Sequence, residues 1–474
     1  MDEAAGPLRI ALHGDPSTLD PHLQAEAIAQ SVLGNFYDTL VTFDAEMRLV
    51  PALVERWESP DDLVWRFYLR QGVRFHDGRP LTSADAVASL ERARSHPRSK
   101  QAGALVPIDG IRVVDERVFE IATATPYPIL LNKLAFLYIV PQDSGEEILR
   151  PVGTGPYRLA RTGLPEPGEP LLLEASPDHW RGPAPEPEVE LFFVADPGER
   201  LRRLEDGEVD FIDEVPPEAV ASLAARDDLQ VKWRTSLTVA YLQMKVAEVP
   251  FSDPRVRQAV DLALDRQALV RSILDGEGQP VGQMVSSNVF GYAPDLEPVE
   301  RDLEAARRLL AEAGYPDGFT ATLELRAGRQ AEPIRDQLAE AGIRVELVER
   351  PWSEMYPRLQ SGAVAFYFGS WVCLSGDASD LLDQKIHTRD LERGYGPSNS
   401  NGYSNPEIDR LIEDSGRRLD MVQRREILKQ ALRRLAADRA FLPLYTPYVL
   451  YGARRSLVWT PRQDEQIYAF EMRR

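Results

Sequence analysis

Cysteine occurs once in 474 residues, at Cys373, so no intramolecular disulfide can form. That scarcity does not by itself choose a compartment, because exported proteins without disulfides are common. Lysine is also rare: six lysines stand against 49 arginines, a bias that tracks base composition of a genome rather than function. Positive charge is in overall deficit, with 55 Lys and Arg against 75 Asp and Glu and a net charge of −20. A nucleic-acid-binding face needs a basic surplus, and so does docking on anionic lipid; the composition argues against both. No apolar run reaches the roughly 18 residues that a membrane-spanning helix requires. The start, MDEAAGPLRIALHGDPS, lacks the basic and apolar regions of a signal peptide. The expectation is therefore either a cytosolic protein or one whose export signal has been removed.

Cofactor and metal motifs are missing as well. There is no Gly-x-x-x-x-Gly-Lys loop, no glycine-rich dinucleotide fingerprint after a strand and no Gly-x-Ser-x-Gly elbow. The six histidines, at 13, 22, 76, 96, 179 and 387, show no metal-ligand spacing, and no calcium loop matches. No cofactor and no metal site are expected. A hydrolase remains open, since it needs only two carboxylates about 5 to 10 Å apart.

What is present is an ordinary globular balance, 43% hydrophobic and 27% charged, in a chain long enough for two or three folding units. LRIALHG (8–14) reads as a strand, and 28–44 as a helix running into a strand. LVWRFYLRQGVRF (63–75) alternates around a glycine and reads as a hairpin. Thr82 to Asp85 reads as a capping box, and GIRVVDERVFEIAT (110–123) as two strands with a tight turn. These place a small α+β unit at 45 to about 145. Residues 163–188 read as loop around the strand LLLEA. Asp196-Pro197, Asp253-Pro254 and Asn405-Pro406 each predict a helix start, a polar cap followed by proline at the first helical position. Residues 302–313 predict a helix stopped at Gly314, and 420–437 a long amphipathic one. Two stretches, from Val189 and from Val345, share a strand–helix–Leu-x-x-Gly–strand order that suggests two α/β lobes with parallel sheet.

The chain resembles the extracytoplasmic solute-binding proteins of peptide-type ABC importers, the group that includes the oligopeptide- and dipeptide-binding proteins. TLDPH (18–22), residues 49–93 from LVPALVERW to ASLERA, VGTGPYRL (152–159), LEDGEVDFID (204–213), FSDPRVRQAVDLALDRQALV (251–270), AARRLLAEAGYPDGF (305–319) and YSNPEIDRLI (403–412) carry the resemblance, in family order. It implies a two-lobed periplasmic-binding-protein fold of α/β class with an extra small α+β domain. Lobe I would comprise 1–44, 150–240 and 456–474, the insertion 45–149, and lobe II 241–455. It implies a monomeric, non-enzymatic substrate-binding component that closes its lobes on a solute and delivers it to ABC importer permease subunits. It also implies a periplasmic location or one at the outer face of the cytoplasmic membrane, with an export signal and any lipid anchor absent from this sequence.

The resemblance also implies a site. In peptide-binding members a tryptophan after a strand is followed by an aspartate that pairs with the ligand's α-ammonium; the matching positions are Trp371 and Asp377. An ammonium buried in a closed cleft loses its hydration, which a well-placed carboxylate offsets, and an aromatic ring adds flat apolar surface. Five residues separate Trp371 from Asp377, longer than the family spacing, so the ammonium partner is either Asp377 or Asp380. Against this stands a helix-cap role for both. Cys373 is expected as small buried filler or cleft wall. Tyr37, Tyr241, Gln243, Met244, Tyr445 and Tyr448 sit where the family reaches its ligand, with core packing as the alternative for the tyrosines. SNSNGYSN (398–405) is expected at the cleft rim. No arginine presents itself for a ligand carboxylate. The cargo is a peptide-like solute, or alternatively an opine, oligosaccharide or metal chelate; a sensor or chaperone-like protein is a further alternative.

Overall fold

The computed structural model describes residues 6–24, 26–161, 165–166 and 168–474. The chain divides into two units, one reaching to Arg234 and resuming at Val449–Arg474, the other Thr235–Tyr448. Both passages fall a few residues before the expected boundaries at 241 and 455. The second lies inside the continuous strand Phe441–Arg454, where periodicity has no reason to mark a boundary. Both units mix helices with parallel and antiparallel strands, the α/β class expected.

In the first unit, Leu8–Leu12 lies between Glu188–Phe193 and Phe211–Ile212, parallel to both. Leu171–Ala175 and Tyr157–Leu159 extend this sheet antiparallel. Its core gathers Leu8, Ile10, Phe36, Tyr37, Phe211 and Tyr451. A separate antiparallel sheet orders Val54–Asp61, Val64–Leu69, Val118–Thr123 and Ile108–Asp115, with Phe67 stacked on Phe119 at 5.1 Å. Helix Ser83–Ser95 opens on the expected capping box of Thr82 and Asp85. The stretch 63–75 is not a hairpin by itself: only Val64–Leu69 is a strand, and it pairs with Val54–Asp61 and Val118–Thr123. Alternation marks a half-buried strand but does not choose its partner.

Two residues of one of the resemblance's landmarks serve structure here. In TLDPH, Asp20 is fully buried and takes Arg92 on both oxygens at 2.9 and 2.6 Å. His22 Nε2 lies 2.9 Å from the Tyr138 carbonyl, and burial pulls its pKa down to about 4.

In the second unit, Phe319–Arg326 lies between Ile343–Arg350 and Phe366–Val372, parallel to both. Phe366–Val372 then pairs antiparallel with Thr238–Met244, which pairs antiparallel with residues 441–445. The two stretches that looked alike in sequence are thus alike in topology: each is a strand–helix–strand with a third parallel strand inserted between its own two. The proline-started helices Pro197–Glu205, Pro254–Leu262 and Pro406–Ser415 all carry the expected side-chain cap. Gly318 and Gly342, both at positive φ, meet at the entry of the paired strands Phe319–Arg326 and Ile343–Arg350. A Cβ on Gly318 would lie 1.8 Å from the Gly342 carbonyl oxygen, so only glycine permits this approach.

Candidate functional site

Side chains alternate across a sheet, and in the second unit that alternation separates core from pocket. Ala240, Leu242, Met244, Phe366 and Phe368 enter the hydrophobic core with the helices. Tyr241, Gln243, Tyr367 and Trp371 take the opposite face. Tyr241 stands across from Gly369, and Gln243 from Tyr367. The missing side chain at Gly369 leaves room for the Tyr367 ring, which a Cβ there would meet at 2.1 Å.

A concave pocket of about 260 Å³ forms over this face, walled by Tyr241, Tyr367 and Trp371. Helix Trp352–Gln360 adds Trp352 and Tyr356, whose rings lie 5.5 Å apart and are 45% and 50% exposed. Ser398 and Ser400 close another side. Gln243 stands behind Ser400, donating Nε2–H to its hydroxyl at 3.0 Å. Arg329 donates to the Ser370 hydroxyl of the lining at 2.6 Å.

Lys385 lines the same pocket and is only 5% exposed. It rides on a single π-helical turn, Leu382–Ile386, that follows the short helix Ser379–Leu381; such turns recur at functional sites. Its Nζ lies 5.3 Å from the Tyr241 ring centre, 5.4 Å from Phe441 and 5.9 Å from Trp371. Among the described residues no carboxylate pairs with it, and no acidic side chain lines the pocket. Burial pulls its pKa down to about 7. Ring contacts are worth about 0.5–2 kcal/mol, while removing an ammonium from water costs several kcal/mol; the rings do not offset the burial. Trp371 Nε1 and Gln243 Oε1 are likewise buried without a partner among the described residues.

Asp377 has a different place from the one expected. It is 1% exposed, and both its oxygens are taken by the guanidinium of Arg424, one at 2.8 Å. It also accepts the Ser379 backbone N–H at 3.0 Å. Arg424, on helix Met421–Asp438, is itself fully buried and donates further to the Ser415 carbonyl and the Ser379 hydroxyl. The carboxylate is therefore engaged by a protein cation, 47 residues on in the chain, where the sequence suggested a ligand ammonium. Asp380 is half-buried at the start of the short helix.

Of the other expected residues, Trp371 and Tyr241 come together in the pocket lining. Met244 and Tyr445 belong to the second unit's core instead, because their strand positions point to the helix-covered face. Tyr37 packs in the first unit's core, its ring 5.9 Å from Tyr138. Tyr448 is half-buried, its backbone N–H on the Glu277 carbonyl. Cys373 is 1% exposed, with Sγ 3.1 Å from the Asp377 carbonyl, and burial pushes its thiol pKa well up. Burial thus suppresses thiolate formation. A thiol reagent such as dithiobis(nitrobenzoate) is expected to leave the native protein unlabelled and to titrate one thiol in denaturant. Rapid native labelling would show that Cys373 is accessible.

Sequence reasoning missed Lys385, Tyr367 and the helix 352–360 aromatics. One signal was available for the lysine: it is one of only six in an arginine-rich chain.

The family model for bacterial extracellular solute-binding proteins, family 5 Middle, matches residues 48–391. The glutathione-binding protein GsiB of Pectobacterium atrosepticum is 28% identical over 98% of this chain and 93% of its own length. The Salmonella typhimurium glutathione-binding protein GsiB is 29% identical over 96% and 91%. Among solved structures, HbpA2 from Haemophilus parasuis superposes with a TM-score of 0.89 at 24% identity, covering 98% of this chain and 99% of its own. The binding protein AgaA in complex with agropinic acid, from A. tumefaciens R10, gives 0.76 at 28% identity, covering 98% and 96%.

Proposed function

We propose a cargo for this chain, which belongs to the bacterial extracellular solute-binding proteins, family 5: a short peptide or peptide-like acid. The chain is a substrate-binding component of an ABC importer, acting outside the cytoplasm with permease subunits as partners. It holds the solute and returns it chemically unchanged.

The lining of the pocket in the second unit carries this reading. Trp352, Tyr356, Tyr241 and Trp371 offer flat apolar surface, while Ser398 and Ser400 offer polar groups for a ligand. Mostly apolar walls with a few placed polar groups are what small-solute sites have. The relatives named for glutathione, a tripeptide, support a cargo of this size. The likeness to the agropinic-acid complex at 28% identity favours an opine as the second reading.

Mass spectrometry of the purified protein, native and then denatured, tests the cargo, followed by calorimetric titration with glutathione. Release of short acidic peptides, unmodified on recovery, is the expected result. A co-purified sugar or metal chelate would overturn the peptide reading, and turnover of the ligand would overturn the non-catalytic one.

A further inference from the structure

We propose that Lys385 is the receptor for a carboxylate of the solute, so that the second unit's pocket selects anionic cargo. The inference rests on the reading of this pocket as the solute site, and it reverses the sign that the aspartates of the preceding loop suggested. Three independent observations converge on it. Lys385 is nearly fully buried yet faces a pocket wide enough for a small solute, with no carboxylate among the described residues to balance it. The rest of the lining adds hydroxyl groups rather than acids: Ser370, Ser398 and Ser400. The one carboxylate of the neighbouring loop that the resemblance singled out first, Asp377, is already paired with Arg424.

The chemistry follows from those contacts. A buried ammonium has lost its water before any ligand arrives, so a carboxylate that reaches it gains a charge-assisted hydrogen bond with little further desolvation of the lysine. The rings of Tyr241, Phe441 and Trp371 surround the ammonium, leaving the pocket side for the anion. The depressed pKa agrees with this arrangement: a ligand carboxylate restores the proton that burial disfavours. A neutral analogue of the same shape gains none of this.

Three acids, glutathione, alanylalanine and succinate, and their primary amides serve as probes, titrated calorimetrically into wild type, Lys385→Met and Lys385→Arg. In wild type at least one acid is expected to bind about 10- to 100-fold tighter than its amide. Lys385→Met should erase that preference and Lys385→Arg should keep most of it. Every binding acid being matched by its amide, or a preference that survives in Lys385→Met, overturns the role of Lys385 and leaves the solute-binding reading standing. If none of the six probes binds, both this inference and the peptide cargo are overturned.

Discussion

Asp377→Ala is expected to unfold at a clearly lower urea concentration than the wild type, with about 3–5 kcal/mol of stability lost and no ligand present. The reason is the residue it strands. Arg424 is fully buried, and removing Asp377 leaves a guanidinium in the interior without its counter-charge. Arg424→Met should cost a similar amount, since it strands the carboxylate instead. The double variant should lose less than the two single losses combined, because it leaves no unpaired charge. Midpoints at unchanged denaturant slope measure all three. If Asp377→Ala kept wild-type stability and lost only solute binding, the carboxylate would belong to the ligand and the structural pairing would be the wrong reading. This matters for any binding experiment: weaker binding in Asp377→Ala is expected from a loosened loop alone.

Lys385→Met is expected to act in the opposite direction on the unliganded protein. Lysine normally titrates near 10.5, and here burial pulls it down to about 7. Below pH 7 both folded and unfolded chains carry the proton, and the folded state bears the full cost of burying it. Between pH 7 and 10.5 the unfolded chain holds a proton that the folded chain has released. Stability therefore rises with pH through that window, and the cost has vanished above it. The shift corresponds to about 5 kcal/mol, an upper scale for the effect. Lys385→Met removes the cost, so it should be more stable than wild type at pH 6 and approach it by pH 10. Urea midpoints for both proteins across that range test this, since the difference between them cancels every other titrating group. Parallel curves would show that Lys385 is solvated. A residue whose removal strengthens the fold while weakening acid binding is one retained for function.

Much of the fold was legible in one dimension. The proline-started helices at 197, 254 and 406, the capping box at Thr82 and the two similar strand–helix–strand stretches depend on a few neighbouring residues, and local sterics and hydrogen bonding decide them. The alternation over 63–75 suggests a hairpin, but only Val64–Leu69 is a strand and its partners lie elsewhere in the chain, because pairing is a long-range choice. The site divided in the same way. The resemblance points to Trp371 by its place just after an apolar run, which is local, and the structure sets it in the pocket lining. No local pattern marks Lys385, because its burial is created by rings from residues 241, 371 and 441, far apart in the chain.

The sequence alone determined the family, the α/β class, the helix starts and the loop that carries Trp371 and Asp377. Only the tertiary structure decided which charges around that loop are satisfied. Asp377 is neutralised by Arg424 and Lys385 by no described carboxylate, and nothing within either residue's own segment distinguishes them. An ion's role depends on what opposes it in space, and burial makes that dependence strong by removing the water that would otherwise mask it.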